Sequence, residues 1–400
     1  MKAVIYRSKA KGTVKAPPSK SMAHRLLICA GLAEGKSLIK GVEASEDVMA
    51  TLDCLKALGV ECSYDGSTVT VMGKGEIQPK DTLRCRECGS TLRFFIPICL
   101  LSEKEALLTG SDRLFKRPLD VYEELCAEKG LGFEKQGSAL KVKGKLKGGS
   151  YELRGDVSSQ FISGLLFALP LAKEDSVISL TGKVESKPYI DMTVAALNDF
   201  GVKVLWQDSQ SLYIKGSQSY KARETEVEGD YSNAAFLDAF NYLEGEVTVK
   251  GLRVDSLQGD KVYIDYFKAL EKGGQPLDIS DCPDLGPVLF ALAAYFGGGD
   301  FAGTARLKIK ESDRAEAMKA ELAKLGVTVT VEENSVSVRG KVQPPKEPLY
   351  GHNDHRIVMA LSVLLSTVGG EIEGTEAVNK SMPLFFKTIK QLGVECFLHE

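Results

Sequence analysis

Lys20, Ser21 and Arg25 sit together in the stretch KAPPSKSMAHR, which runs straight into the apolar segment LLICAGLA. Ser21 and Arg25 are four residues apart and so share one face of a helix. Arg93 lies in a second such start, behind Gly89, Ser90 and Thr91, and Arg356 follows Asp354 and His355 at a third. A helix N-terminus already carries roughly half a positive charge, so each basic residue there opposes the macrodipole unless an anion compensates it. One kind of rule-breaking at three starts points to anion binding by helix ends, backbone N–H groups and cationic side chains together.

Further candidates fall at similar places. Ser158, Ser159 and Gln160 open one apolar run and Asp284, after Pro283, opens another. Between runs come Arg117 before Pro118, Ser186 in ESKPYID, Lys310, Glu311 and Arg314 in IKESDRAEAM, and Lys380 in VNKSMP. Taken singly, SSQ is an ordinary N-cap cluster, and ESDR an ordinary helix start whose acidic residue contributes about 0.3–1 kcal/mol. Taken together, Lys20, Arg25, Arg93, Arg117, Lys310, Arg314, Arg356 and Lys380 are too many cations for one monoanion, because uncompensated like charges repel. Two polyanionic ligands would balance them. Asp284 and Glu311 stand among the cations, where a carboxylate orients a hydroxyl or acts as a general base. The chain has no G-x-x-x-x-G-K-[ST] phosphate loop, which argues against a P-loop kinase. Group transfer between small phosphorylated molecules fits these residues best.

The elements that must position them repeat. Six times a small or polar cluster opens an apolar helical stretch: SKSMAHRLLICAGLA, CGSTLRFFIPICLL, DVSSQFISGLLFALPL, DYSNAAFLDAFNYL, DCPDLGPVLFALAAYF and NDHRIVMALSVLL. A second marker, an apolar residue and glycine ending a polar helical stretch before alternating strands, keeps step with the first in ALGVECSYDGSTVTV, KGLGFEKQGSALKVK, DFGVKVLWQDSQSLYI and KLGVTVTVEENSVSVR, with weaker copies at LEKGG and QLGVECFLHE. Each unit reads as strand, apolar helix, strand, amphipathic helix and two strands. Apolar helices buried inside and sheets outside predict an inside-out α/β barrel, in two domains of three units each. The boundaries fall near residues 17 and 228, giving 1–17 with 228–400 as one discontinuous domain and 18–227 as the other, with the active site expected in the cleft between them.

The 51 basic and 54 acidic side chains among 400 residues leave a net charge of −3, which speaks against a polyanion partner such as nucleic acid. MKAVIYRSKAKGTV does not read as a targeting segment, and no apolar run of membrane-spanning length is expected to form a span. The nine cysteines lie mostly in apolar stretches, as suits reduced thiols and a cytoplasmic protein. Cys85 and Cys88 form one C-x-x-C pair with no second ligand pair at zinc spacing, and it reads as incidental. No metal or cofactor is called for, and a monomer is expected.

PPSKSMAHRLLICAGLAEG, GSTLRF, RPL, GDVSSQFISGLLFALPL, SKPYIDMT, IKESDRAEAM and NDHRIVMA, in this order over essentially the whole chain, resemble the 5-enolpyruvylshikimate-3-phosphate synthase family. The resemblance implies transfer of the enolpyruvyl group of phosphoenolpyruvate to the 5-hydroxyl of shikimate 3-phosphate, a step toward aromatic amino acids and the target of glyphosate. It implies that Lys20, Ser21, Arg25, Ser158, Ser159, Gln160, Ser186, Asp284 and Lys310 hold shikimate 3-phosphate. Lys20, Gly89, Arg117, Gln160, Arg314, Arg356 and Lys380 would hold phosphoenolpyruvate, and Asp284, Glu311 and Lys20 would be catalytic. In many members the second motif reads N-A-G-T-A-M-R-P, whereas ECGSTLRF here has Ser90 for threonine and Phe94 for proline, and Arg306 stands where some have asparagine. The resemblance therefore fixes neither the glyphosate response nor the roles of Arg93 and Arg306. The alternatives are an enolpyruvyl transferase acting on UDP-N-acetylglucosamine, an RNA 3′-end-processing protein on a related repeat fold, and an inactive anion-binding module.

Overall fold

A computed structural model describes residues 1–399. The protein is a mixed α/β chain that divides into two compact units, Met1–Pro17 with Gly229–Glu400, and Pro18–Glu228. Each has its own apolar core.

The six apolar stretches form helices at Lys20–Leu32, Gly89–Cys99, Ser159–Ala168, Tyr231–Asp238, Gly286–Phe296 and His355–Val368. Residues apolar all round a helix leave no solvent face, and each buried Leu, Ile or Phe contributes about 1.5–3 kcal/mol. Accordingly Gly286–Ala294 and His355–Ser366 are buried without interruption. Five of the six are capped by the side chain just before them, Ser19, Cys88, Ser158, Asp230 and Asp354. The helix Gly286–Phe296 instead follows a 3₁₀ turn, Pro283–Leu285, and carries Pro287 in its first turn.

The strands make five four-stranded sheets and one two-stranded sheet. One pattern recurs in the larger sheets. Gly149–Arg154 pairs parallel with Ser176–Thr181, the buried helix Ser159–Ala168 crossing between them, and Ser176–Thr181 then pairs antiparallel with Ser211–Ile214, which pairs with Val204–Trp206. Parallel neighbours need such a crossover, whereas the last two strands need only a turn. The same order recurs with Leu277–Asp278, Gly298–Ala302, Ser335–Arg339 and Thr328–Val331. The glycine marker is explained by conformation: Gly59 and Gly326 follow the amphipathic helices Glu46–Ala57 and Arg314–Lys324 with φ of 86° and 77°, the left-handed C-cap region.

The fourth copy departs from the expected unit. Its helix Tyr263–Lys272 passes through Gly273 and Gly274 directly into Leu277–Asp278, and its only sheet is Glu246–Lys250 paired parallel with Lys11–Lys15. No alternating apolar pair follows LEKGG, so nothing there could form the outer hairpin. In the sixth copy the strand Lys2–Ile5 supplies the place of a hairpin strand, between Gly370–Glu373 and Cys396–His399. No helix among the described residues is long and apolar enough to cross a membrane.

Candidate functional site

The discontinuous unit gathers Asp284, Lys310, Glu311, Arg314, Arg356 and Lys380. Arg314, at the start of the amphipathic helix, is only 1 % exposed and is the hub of the group. Its Nε donates to Asp354 Oδ2 at 2.9 Å, Nη1 to Asp284 Oδ1 at 2.8 Å, and Nη2 to Glu311 Oε2 at 2.6 Å. Asp354, wholly buried, also accepts from Ser312 Oγ and from the backbone N–H of Arg356 at 3.0 Å each. It thus caps the apolar helix and fixes Arg314 with the same carboxylate. Arg356 Nη2 donates to Asp284 Oδ2 at 2.8 Å, and Lys310 Nζ lies 3.4 Å from Asp284 Oδ1.

The electrostatics follow from this crowding. Burial pushes the Asp284 carboxyl up, but Arg356, Lys310 and Arg314 outweigh it and hold the group well below the usual carboxylate range. Burial pulls Lys310 down to about 8, against the opposing pull of Asp284 and with help from Arg314 and Arg306. The Asp354 carboxyl is also lowered, its burial being outweighed by Arg314.

Lys380 enters through the turn before the sixth helix. Its Nζ donates to Asn353 O at 2.7 Å, and His352 and Asn353 have φ of 50° and 53°. Such left-handed conformations are unfavourable for non-glycine residues and persist only when held. Glu321, 2 % exposed, holds them: its carboxylate accepts the Tyr350 N–H at 2.9 Å, lies 2.8 Å from His352 Nε2, and pairs with Lys324 at 3.0 Å. Arg306 is buried and donates from Nη2 to Ser280 O at 2.5 Å.

The continuous unit gathers Lys20, Ser21, Arg25, Gly89, Arg93, Arg117, Ser158, Ser159, Gln160 and Ser186. Arg25, 3 % exposed, donates from Nε to Thr193 Oγ1 at 2.9 Å, from Nη1 to Ser21 O at 2.7 Å and from Nη2 to Tyr189 O at 2.8 Å. Burial lowers it to about 10, so it stays charged at neutral pH. Gln160 is oriented from both sides: Oε1 accepts from Arg93 Nη1 at 2.7 Å and Nε2 donates to Ser90 Oγ at 2.9 Å. Ser158 caps the helix through the Gln160 N–H. Ser186, buried with φ 54°, precedes the helix Lys187–Asp199 without its side chain capping it.

Gly89 and Arg117 are in close approach. A Cβ on Gly89 would lie 2.5 Å from Arg117 Nη1 and 2.7 Å from its Cζ, so only glycine admits the guanidinium. Arg117 Nε is buried with no hydrogen-bond partner in the protein, an arrangement that favours an anionic ligand.

The expectation that the basic residues at the helix starts lack compensation unless a ligand anion is present is corrected for Lys20 and Arg356, each of which pairs with a carboxylate of the protein itself. Lys20 Nζ pairs with Asp47 Oδ2 at 2.7 Å. Arg93 donates to Gln160 and, from Nη2, to Pro118 O at 2.9 Å, and its guanidinium lies over the Phe161 ring. The protein supplies its own acceptors. No local pattern marks Asp47, Thr193 or Glu321, since each is an ordinary helical residue until folding brings its partner. The C-x-x-C pair is split: Cys85 Sγ lies 4.0 Å from Cys54 Sγ, and Cys88 Sγ lies 3.8 Å from His24 Nε2. All nine cysteines are unpaired. A surface cavity of about 810 Å³, lined by residues such as Glu76, Lys104, Lys147 and Glu174, contains none of the site residues above.

The fold is that of known enolpyruvyl transferases. The solved EPSP synthase of Acinetobacter baumannii matches with a TM-score of 0.81 over 100 % of this chain and 99 % of that one, at 24 % identity. The enolpyruvyl transferase NikO of Streptomyces tendae matches with a TM-score of 0.78 over 99 % of this chain and 98 % of that one, at 14 % identity. Sequence narrows the class. The 3-phosphoshikimate 1-carboxyvinyltransferases of Clostridium botulinum (strain Eklund 17B) and Clostridium kluyveri are 39 % and 40 % identical, covering 97 % and 98 % of this chain and 96 % and 97 % of theirs. The EPSP synthase (3-phosphoshikimate 1-carboxyvinyltransferase) family model matches residues 5–389, and the chain belongs to that family.

Proposed function

We propose that the two residue clusters divide between them the reaction that family membership assigns to this chain: transfer of the enolpyruvyl group of phosphoenolpyruvate to the 5-hydroxyl of shikimate 3-phosphate, with release of phosphate. In this reading Lys20, Ser21, Arg25, Ser158, Ser159, Gln160, Ser186, Asp284 and Lys310 hold shikimate 3-phosphate. Lys20, Gly89, Arg117, Gln160, Arg314, Arg356 and Lys380 hold phosphoenolpyruvate. The half-buried Arg117, with the end of its guanidinium against Gly89 and its Nε unpartnered, supports a phosphate or carboxylate contact there. The repeated units, with buried apolar helices and amphipathic second helices, support an inside-out α/β arrangement in each unit.

The observation that carries the mechanism is the clamping of Asp284 by Arg314, Arg356 and Lys310. A carboxylate so stabilised is ionised but weakly basic. An anionic substrate that engages Arg356 and Lys310 draws them from Asp284 and restores its basicity when a hydroxyl is at hand. Asp284 then accepts the hydroxyl proton as oxygen adds to C2 of phosphoenolpyruvate. Glu311, hydrogen-bonded to Arg314, serves proton transfer at C3, and Lys20 and the arginines stabilise the charge of the tetrahedral adduct and the departing phosphate.

Phosphate release from phosphoenolpyruvate, measured with shikimate 3-phosphate and separately with UDP-N-acetylglucosamine, tests the reading. Turnover is expected with the first acceptor only. Release with the sugar nucleotide alone, or full turnover in Glu311→Ala, would overturn it.

A further inference from the structure

His24, Asp47 and Cys88 come from three elements of the continuous unit: the apolar helix Lys20–Leu32, the first turn of Glu46–Ala57, and the N-cap of Gly89–Cys99. One potential ligand atom from each lies within 4.8 Å of the others. They are 1 %, 8 % and 2 % exposed. Their chemistry differs in a way an acidic patch does not: one imidazole nitrogen, one carboxylate and one sulfur. Around a tetrahedral Zn²⁺, with Zn–S about 2.3 Å and Zn–N about 2.0–2.1 Å, neighbouring sulfur and nitrogen ligands stand roughly 3.5 Å apart. The observed Cys88 Sγ to His24 Nε2 distance is 3.8 Å, so a small contraction suffices.

The surroundings also orient the imidazole. His24 Nδ1 lies 2.7 Å from Thr51 Oγ1, which lies 2.8 Å from Thr91 Oγ1. With the Nδ1–H donated to Thr51, the Nε2 lone pair faces Cys88, the arrangement that outer-shell partners impose on metal-ligating histidines. We propose that His24 Nε2, Cys88 Sγ and the Asp47 carboxylate form a binding site for a zinc-class divalent ion, with the fourth position left to water.

The Cys88 thiol loses its proton to solvent and the thiolate forms the metal–sulfur bond, so thiolate and carboxylate together neutralise the ion. Asp47, which now pairs with Lys20 at 2.7 Å, must be shared with the metal, so Lys20 and the ion compete. The site itself stands apart from the catalytic reading; only a kinetic effect of the metal would rest on the role proposed for Lys20.

Cobalt(II) titration of the full chain, followed by absorption, tests the site without any assay of turnover. The expected result is a sulfur-to-cobalt charge-transfer band with tetrahedral visible bands, saturating at one equivalent and bleached by Zn²⁺. Cys88→Ser should remove the charge-transfer band, and His24→Asn should weaken binding at least tenfold. Lys20→Met, by removing the competitor for Asp47, should tighten binding about tenfold. Absence of the band in the unaltered protein overturns the proposal whatever the variants do. So does a band that survives Cys88→Ser with the thermal melt unchanged, since another thiol would then be the ligand.

Discussion

Arg314 Nη1 and Arg356 Nη2 each donate at 2.8 Å to Asp284, one to each carboxylate oxygen. Two guanidiniums from different helices thus fix the carboxylate that the proposed mechanism needs as a proton acceptor. Asp284→Ala should separate binding from chemistry. It leaves Arg314, Arg356 and Lys310 less compensated, so KM for phosphoenolpyruvate should stay level or fall. Loss of the acceptor should lower kcat about 10²–10⁴-fold. Steady-state kinetics with both substrates varied reads the split, and a rise in KM with unchanged kcat would remove Asp284 from the chemistry.

Lys310 gives a pH signature. Its ammonium is lowered from the ordinary 10.5 to about 8, so the disfavoured state in the free protein is the charged one and the neutral fraction grows as pH rises through 8. An anionic ligand needs the charged form. For shikimate 3-phosphate, kcat/KM should therefore fall on an alkaline limb near pH 8. Lys310→Arg, which keeps its charge, should move that limb upward, and a limb unmoved by this substitution assigns it to another group.

Arg314 is a stability determinant as well as a site residue. Its removal in Arg314→Met leaves Asp284, Glu311 and Asp354 converging without their shared cation. Breaking a buried pair by deleting one partner costs about 3–5 kcal/mol. A clear drop in the thermal midpoint is expected at pH 7, with partial recovery as the carboxylates protonate on acidification. A variant as stable as the parent at pH 7 would contradict this account.

Glu321 positions rather than reacts. It anchors Tyr350 and His352 beside the Asn353 carbonyl to which Lys380 is bound. In Glu321→Ala the two left-handed residues lose their support, and KM for phosphoenolpyruvate should rise about tenfold with a smaller change in kcat. Glu321→Gln keeps an acceptor for the Tyr350 N–H and should recover most of the loss. Equal impairment in both variants would point to the charge rather than the geometry.

Gly89→Ala should act chiefly through Arg117. The added methyl would meet Nη1 at 2.5 Å, and the guanidinium must swing aside. KM for phosphoenolpyruvate should rise several-fold while KM for shikimate 3-phosphate holds. Arg117→Ala should then mask most of the effect of the glycine change.

What was legible in the sequence was local. The apolar helices announce themselves by having no polar face, their starts by serine, aspartate and proline, and the amphipathic helix ends by glycines that must adopt positive φ. Basic residues at those starts stood out because they contradict the macrodipole. Their partners did not. Thr193 reaches Arg25 across 168 positions and Asp47 reaches Lys20 across 27, and no short-range pattern encodes either pairing. Arg93 reads as a cation at a helix start, yet its side chain is spent on Gln160 and Pro118. The fourth copy was expected to carry the same hairpin as the others, and only the weakness of its LEKGG marker was readable as a trace of the loss. That Lys2–Ile5 would serve the sixth sheet was not, because its partners lie at the far end of the chain.

That strand has a consequence for synthesis. Ile5 pairs with Gly370 and Cys396, so at about 5–20 residues per second it waits roughly 20–70 s on the ribosome for its first neighbour. The segment Pro18–Glu228 is continuous and has its whole core in hand long before then. During that interval the segment is an unpaired β-edge tethered to a chain whose first core is already synthesised, and Lys2, with Arg7, Lys9 and Lys11 close behind it, provides the charge that discourages edge-to-edge association of nascent chains.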